Sequence, residues 1–289
     1  MYQLTSLMGN SQQLDGGAMF GNVPKALWKN WVSVDDTNRI QLACRALLVH
    51  DTERDINILL ETGIGMFFDP ALKARYGVIE DQHVLLSQLA ELGLSDKDID
   101  FVILSHLHFD HAGGLLSAWQ ADKQPELLFP NAQFIVSEIA WERALHPHAR
   151  DKTSFIPKLN ELLQQSNRLV AVKEESTPLL GKNIHFHYSN GHTPGMLITE
   201  IAMPLGSVFF VADLIPGTPW VHLPVTMGYD RFPETLIDEK RTILENIVQH
   251  HGRIFYTHDP DVALSRVIVD EKGRFVASEA CPSIRMLTQ

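Results

Sequence analysis

Apolar positions along the chain fall into two kinds of run. Short dense runs rich in β-branched and aromatic residues recur between polar turns. "RIQLACRALLV" (39–49) and "DINILLET" (55–62) flank the turn "HDTER"; "FVIL", "AQFIVS", "RLVAV", "IHFHYS", "LITEIAM", "SVFFVAD" and "RIFYTHD" follow. Each has the length and composition of a strand. Longer runs repeat their apolar residues every three or four positions, as one face of a helix requires. "DQHVLLSQLAELGL" (81–94) places Val84, Leu85, Leu89 and Leu92 this way and ends at Gly93. The same spacing predicts helices over "EIAWERAL" (138–145), the stretch after the proline of "TSFIPKLNELLQQ" (153–165), and "ETLIDEKRTILENIVQHHG" (234–252), stopped by Gly252. The C-terminal "ALSRVIVDEKGRFVASEACPSIRMLTQ" reads as strands and a tail.

Strand-rich halves with helices between them predict an α/β fold, two sheets face to face and covered outside by helices. No internal repeat and no linker divides the chain, so residues 1–289 are expected to form a single domain. A net charge of −11, with no Lys/Arg run, argues against a nucleic-acid partner. No apolar stretch approaches the roughly 18 residues of a membrane helix, so no membrane partner is expected. The opening "MYQLTSLMGNSQQLDGG" lacks the basic start and apolar run of a signal peptide. The two cysteines, Cys44 and Cys281, make no disulfide framework. Reduced thiols and a cytoplasmic location are the expectation.

One stretch breaks the ordinary pattern. "SHLHFDHAGG" (105–114) follows the buried run "FVIL" and carries three histidines and an aspartate within six positions. Packing imidazoles and a carboxylate together is costly without a cation. His106 and His108, two apart on extended chain, project the same way, whereas Asp110 and His111 lie where the chain turns into a helix expected to begin near Ala112. Two foci of ligands suit two metal ions better than one. Further ligand types stand at the exits of other strands: His192 in "NGHTPG", Asp213 ending "FFVAD" and His258 in "IFYTHD". Neither cysteine lies in these stretches, which removes a thiolate site. The remaining histidines carry blander expectations. His185 and His187 share a strand face with no acidic partner following them, His250 and His251 suit a helix C-terminus, and His146 and His148 flank Pro147 in a surface loop.

"HLHFDH", followed in order by His192, Asp213 and His258, resembles the metallo-β-lactamase superfamily of hydrolases over essentially the whole chain. The resemblance implies a four-layer αββα sandwich. It also implies one ion held by His106, His108 and His192, a second by Asp110, His111 and His258, and Asp213 bridging both. Zinc fits this imidazole and carboxylate set, and iron, manganese or cobalt would bind the same ligands. A water between two such ions becomes a hydroxide nucleophile near neutral pH. Asp110 would carry the proton to the leaving group, and no G-x-S-x-G elbow competes for the role of nucleophile.

"DGGAMFGNVPKALW" (15–28) and "ADLIPGTPWVHLPVTMGYDRFPETLIDEK" (212–240) resemble the branch holding quorum-quenching acyl-homoserine lactonases of the Bacillus type and methyl parathion hydrolase-like esterases. That likeness implies a lactonase with Met19, Phe20, Trp220 and His222 lining an apolar substrate pocket. The best-known lactonases of that branch place a tyrosine soon after the bridging aspartate; "DLIPGTPW" has none, so acyl-homoserine lactone is supported less than hydrolysis itself. A broader aryl esterase or phosphotriesterase and a glyoxalase II-like thioesterase are the alternatives, although the thioesterase's basic helical C-terminus has no counterpart here. A signal-binding protein without catalysis, or an oxygen-reducing di-iron protein, would reuse the same scaffold. The apolar surface around "MFGNVPKALW" leaves room for a homodimer.

Overall fold

In the computed structural model, which describes residues 1–288, the strands form two six-stranded mixed sheets. The first runs β1 (Tyr2–Asp15), β2 (Arg39–Asp51), β3 (Ile56–Leu60), β4 (Phe101–Ile103), β5 (Gln133–Ser137) and β6 (Leu169–Val172), each hydrogen-bonded to the next. β2 and β3 are antiparallel; β3 to β6 are parallel. The second contains β7 (Ile184–Ser189), β8 (Met196–Ile201), β9 (Val208–Phe210), β10 (Arg253–Phe255), β11 (Leu264–Val269) and β12 (Phe275–Cys281), again in chain order across the sheet. Here only β9 and β10 run parallel. The helices are α1 (Gly16–Phe20), α2 (Lys25–Trp28), α3 (Pro70–Tyr76), α4 (Val84–Glu91), α5 (Phe109–Ala112), α6 (Glu138–Leu145), α7 (Pro157–Ser166) and α8 (Pro233–Gln249). No helix of the described residues is long and apolar enough to cross a membrane.

The chain resolves into two compact units. Among the described residues, the first takes Met1–Gln12, Ala43–Lys173 and Arg285–Leu287; the second takes Gln13–Leu42, Glu174–Ile284 and Thr288. The first unit is built on parallel strands joined by helical crossovers. Val102, Phe134 and Val136 from its strands pack with Leu85 and Leu89 of α4, Ala140 of α6 and Leu159 and Leu163 of α7 in one buried cluster. The helix expected near Ala112 starts earlier. α5 already includes Phe109, Asp110 and His111, and a 3₁₀ turn, Gly113–Leu115, continues it. Close packing explains the glycines there: a Cβ on Gly114 would lie 2.1 Å from the Thr62 carbonyl oxygen. Thr62 donates its N–H to the His111 carbonyl at 3.0 Å, so the strand exit after β3 and the histidine turn are laced together.

In the second unit, the buried stripe of α8 runs through Leu236, Ile243, Leu244 and Ile247, with Lys240 fully buried among them. α8 ends at Gln249, short of Gly252, because His251 takes the left-handed turn itself (φ 53°). Lys240 Nζ donates to the carbonyls of Trp220 (3.1 Å) and Val225 (2.6 Å), tying the 214–232 loop to the helix. Burial pulls its pKa down to about 7, with Asp230 opposing the shift. The ordinary lysine value is about 10.4, so between these two values the unfolded chain binds more protons than the folded one. The contribution of Lys240 to stability therefore rises with pH across that window. Urea unfolding of wild type and Lys240→Met from pH 7 to 10 should show their stability difference moving in favour of wild type, by at most about 1.4 kcal/mol per pH unit. A difference that does not change with pH would refute this.

His185 and His187 lie on β7, and a partner missing from the local sequence comes from the neighbouring strand. Glu200 of β8 lies 2.8 Å from His187 Nε2 and also accepts from Ser207 Oγ at 2.6 Å. This pairing accounts for His187 as a structural residue.

Candidate metal-binding clusters

In the first unit, strand register sets the cluster. Leu60 of β3 pairs with Ile103 of β4 in parallel, so Glu61 and the Ser105–His106 step leave the sheet at the same edge. The C-terminal ends of parallel strands are where open α/β sheets mount their chemistry. The rings of His106 and His108 lie 4.4 Å apart and those of His106 and His111 4.1 Å apart. Asp110 Oδ1 lies 3.7 Å from His111 Nε2. All four residues are buried.

Glu61, which the sequence pattern did not single out, organises these rings. It is fully buried and takes a left-handed backbone (φ 60°), a conformation that side chains of its kind adopt at a cost. Its Oε2 lies 2.9 Å from His111 Nδ1, and its Oε1 accepts the Ser105 hydroxyl. With its proton given to Glu61, Ser105 Oγ can only accept at His106 Nδ1, 2.8 Å away. Both histidines therefore carry their proton on Nδ1 and keep Nε2 as the lone-pair nitrogen. Ligand atoms of Glu61, His106 and His111 lie within 4.8 Å of one another, yet both Glu61 oxygens are already engaged, which makes it an orienting group.

The second unit repeats the logic. Phe210 of β9 and Phe255 of β10 are paired in parallel, and Asp213 and His258 each come three residues later. Asp213 points its two oxygens at two different rings: Oδ2 lies 3.1 Å from His192 Nε2, and Oδ1 lies 3.2 Å from His258 Nε2. Preceding it, Ala212 holds a left-handed φ of 45°, which turns the chain sharply at the strand exit. His192 is fixed from behind by Asp230, whose Oδ1 lies 2.9 Å from His192 Nδ1 while Oδ2 accepts the Met227 N–H at 2.6 Å. Glu239 of α8 accepts from Ser189 Oγ, Asn190 N and Gly191 N, shaping the turn ahead of His192. Gly191 is needed there, since a Cβ would lie 2.4 Å from Leu236 of the helix.

These donors fit divalent metal ions. His106, His111 and His192 each commit Nδ1 to a hydroxyl or carboxylate and keep Nε2 as the coordinating nitrogen. That division of labour characterises metal-ligating histidines and sets their tautomer and basicity. Neutral imidazoles with carboxylates match zinc and its neighbours among borderline divalent ions.

The four residues expected to line a pocket lie in the second unit and divide into three kinds. Phe20 is fully buried, its ring stacked between Trp28 (5.3 Å) and Trp220 (4.5 Å). Met19 is buried beside it and accepts the Trp220 indole N–H through its carbonyl at 3.0 Å. Trp220 lines a cavity of about 660 Å³ together with Trp31, Val34, Ile40, His258 and Asp259; Met19 and Phe20 do not line it. His222 lines a separate cavity of about 470 Å³ with Trp31 and Phe275, and its pKa is lowered by partial burial and by Arg274 and Lys240. Thr218 donates to Asp259 through both N–H (2.9 Å) and hydroxyl (2.7 Å), fixing the rim beside His258.

Comparison with known proteins is consistent with these clusters. The solved structure of a probable metal-dependent hydrolase from Staphylococcus aureus aligns with a TM-score of 0.84 at 27% identity, covering 97% of this chain and 98% of that one. AidC, described as a dizinc quorum-quenching lactonase in complex with its product, aligns with a TM-score of 0.75 at 26% identity, covering 96% and 94%. An N-acyl homoserine lactonase of Bacillus thuringiensis is 28% identical over 178 residues, 61% of this chain. The chain matches 62% of the length of that relative. Residues 40–258 match the sequence profile of the Metallo-beta-lactamase superfamily, and the two mixed sheets flanked by helices match its α/β sandwich fold. The chain belongs to the metallo-β-lactamase superfamily.

Proposed function

We propose that this single-domain protein is a binuclear metal-dependent hydrolase that opens lactone esters of the N-acyl homoserine type. The observation that carries the proposal is Asp213, whose two oxygens face the Nε2 atoms of His192 and His258, so that the one carboxylate would serve both ions. In this reading His106, His108 and His192 would hold one ion, Asp110, His111 and His258 would hold the other, and zinc is the metal proposed. When bound, the ions supply a readily ionised water and an electrophilic pull on the carbonyl oxygen. The remaining work belongs to the chain. Glu61 and Asp230 keep the rings in one tautomer, Asp110 takes the proton of the attacking water and returns it to the departing oxygen, and the cavity beside Trp220 and His258 takes the acyl group. Met19 and Phe20 support Trp220 from within, and His222 serves at the neighbouring cavity. A cytoplasmic location accompanies this reading.

The lactonase reading draws on the names of the relatives, and the cavity of about 660 Å³ has room for an acyl chain. The test is a substrate panel on the metal-loaded full chain, with metal counted on the same sample. About two ions per chain are expected. An N-acyl homoserine lactone should be turned over with a higher kcat/KM than an aryl ester, a thioester or a phosphotriester. Silence on all four would overturn hydrolysis in favour of a signal-binding role, and preference for another ester class would overturn the lactone assignment alone.

A further inference from the structure

Gln12 lies on β1, fully buried, ninety-eight positions before the aspartate it contacts. Its Nε2 donates to Asp110 Oδ2 at 2.6 Å, within the first unit. A carboxylate oxygen accepts only from the NH₂ end of an amide, so this contact fixes which way the amide faces. The other end is left at a cost. Gln12 Oε1 is buried with no hydrogen-bond partner among the described residues, a state that costs a polar atom the hydration it had in the unfolded chain. A methionine or leucine would fill the same space without that cost, so packing gives no reason for glutamine. The bond to Asp110 does. The two oxygens of Asp110 thereby become unequal: Oδ1 is the one near His111 Nε2, at 3.7 Å, and Oδ2 is held by an amide that neither takes nor gives a proton at neutral pH.

We infer that Gln12 is a positioning residue that fixes the plane of the Asp110 carboxylate for proton return, and that it suits the site to esters whose leaving group is an alkoxide. This rests on the hydrolase reading above and deepens it. An Oδ2 that accepts one N–H keeps a second lone pair. In the first step the O–H bond of water breaks, its proton goes to that lone pair, and its oxygen bonds to the ester carbonyl carbon. In the second the carbonyl carbon–alkoxy oxygen bond breaks, the alkoxy oxygen keeps the electron pair, and it takes the proton back from Oδ2. Water and ester become acid and alcohol, and Asp110 is regenerated. A ring-opened lactone leaves as an alkoxide, which needs the returned proton. A p-nitrophenolate leaves readily without one. Positioning of Asp110 therefore matters far more for the first substrate than for the second.

The test compares kcat on an N-acyl homoserine lactone with kcat on a p-nitrophenyl ester for the metal-loaded full chain. The variants are Gln12→Met, which removes the donor, and Gln12→Glu, which keeps the shape, with metal counted in each preparation. The ratio of lactone to aryl-ester turnover should fall about 10- to 100-fold in both variants at unchanged metal content, the range found when partners of site ligands are removed. Placed on Asp110→Asn, Gln12→Met should lower the ratio no further, because the group it positions is already disabled. An unchanged ratio, a further fall on Asp110→Asn, or loss of metal from both Gln12 variants would overturn the role. A wild-type chain that hydrolyses neither ester would overturn the lactone assignment, and this inference with it; silence on the thioester and phosphotriester as well would overturn the hydrolase reading.

Discussion

Asp213→Ala is expected to lower lactone turnover by at least about 10³-fold, equivalent to some 4 kcal/mol of transition-state stabilisation, and to reduce bound metal below the wild-type content. Both oxygens of this carboxylate are used, one toward His192 and one toward His258, so no single neighbour can replace it. Removing it also takes away the carboxylate that faces two buried imidazoles. Elemental analysis and kcat on the same preparation check the prediction. Full metal content with wild-type kcat would exclude Asp213 from the centre and remove the observation on which the functional proposal stands.

Asp110→Asn separates binding from chemistry. The amide retains the size of the side chain and one oxygen for coordination, but it cannot accept and return a proton. Turnover of the lactone should fall about 10²- to 10⁴-fold, the span usual for a general acid–base group, with at least one ion per chain retained. KM should change much less than kcat, because the lost interaction is made in the transition state. Unchanged kcat would remove Asp110 from proton transfer and leave it a ligand only.

The fold was legible wherever apolar periodicity was strong. α6 lies at 138–145 as the spacing predicts, β7 matches "IHFHYS", and β9 and β10 begin within a residue of "SVFFVAD" and "RIFYTHD" but end at Phe210 and Phe255, before the residues that carry the ligands. It was less legible where tertiary contacts override local preference. Asn10, Ser11 and Gln12 are buried polar residues on β1, so that strand shows no clean alternation to read. Lys240 sits in the middle of an apolar stripe because two loop carbonyls claim it. The histidines and aspartates of the candidate site were visible because each follows a buried strand. Glu61 was available to the same rule, since "ILLE" ends a strand, but a glutamate before Thr–Gly looks like an ordinary turn residue. Asp230, in the loop "GYDRFP", carries no local signal; its role exists only once the chain has folded back on His192.

The second unit joins a short early piece, Gln13–Leu42, to residues that follow Lys173, and Met19 is 201 positions ahead of the Trp220 that hydrogen-bonds to it. At a synthesis rate of about 5–20 residues per second, roughly 10–40 s pass on the ribosome between the appearance of the two. Throughout that interval Phe20 and Trp28 can stack on each other but not on Trp220. The aromatic stack around Phe20 is therefore completed only after Trp220 has emerged, late in synthesis.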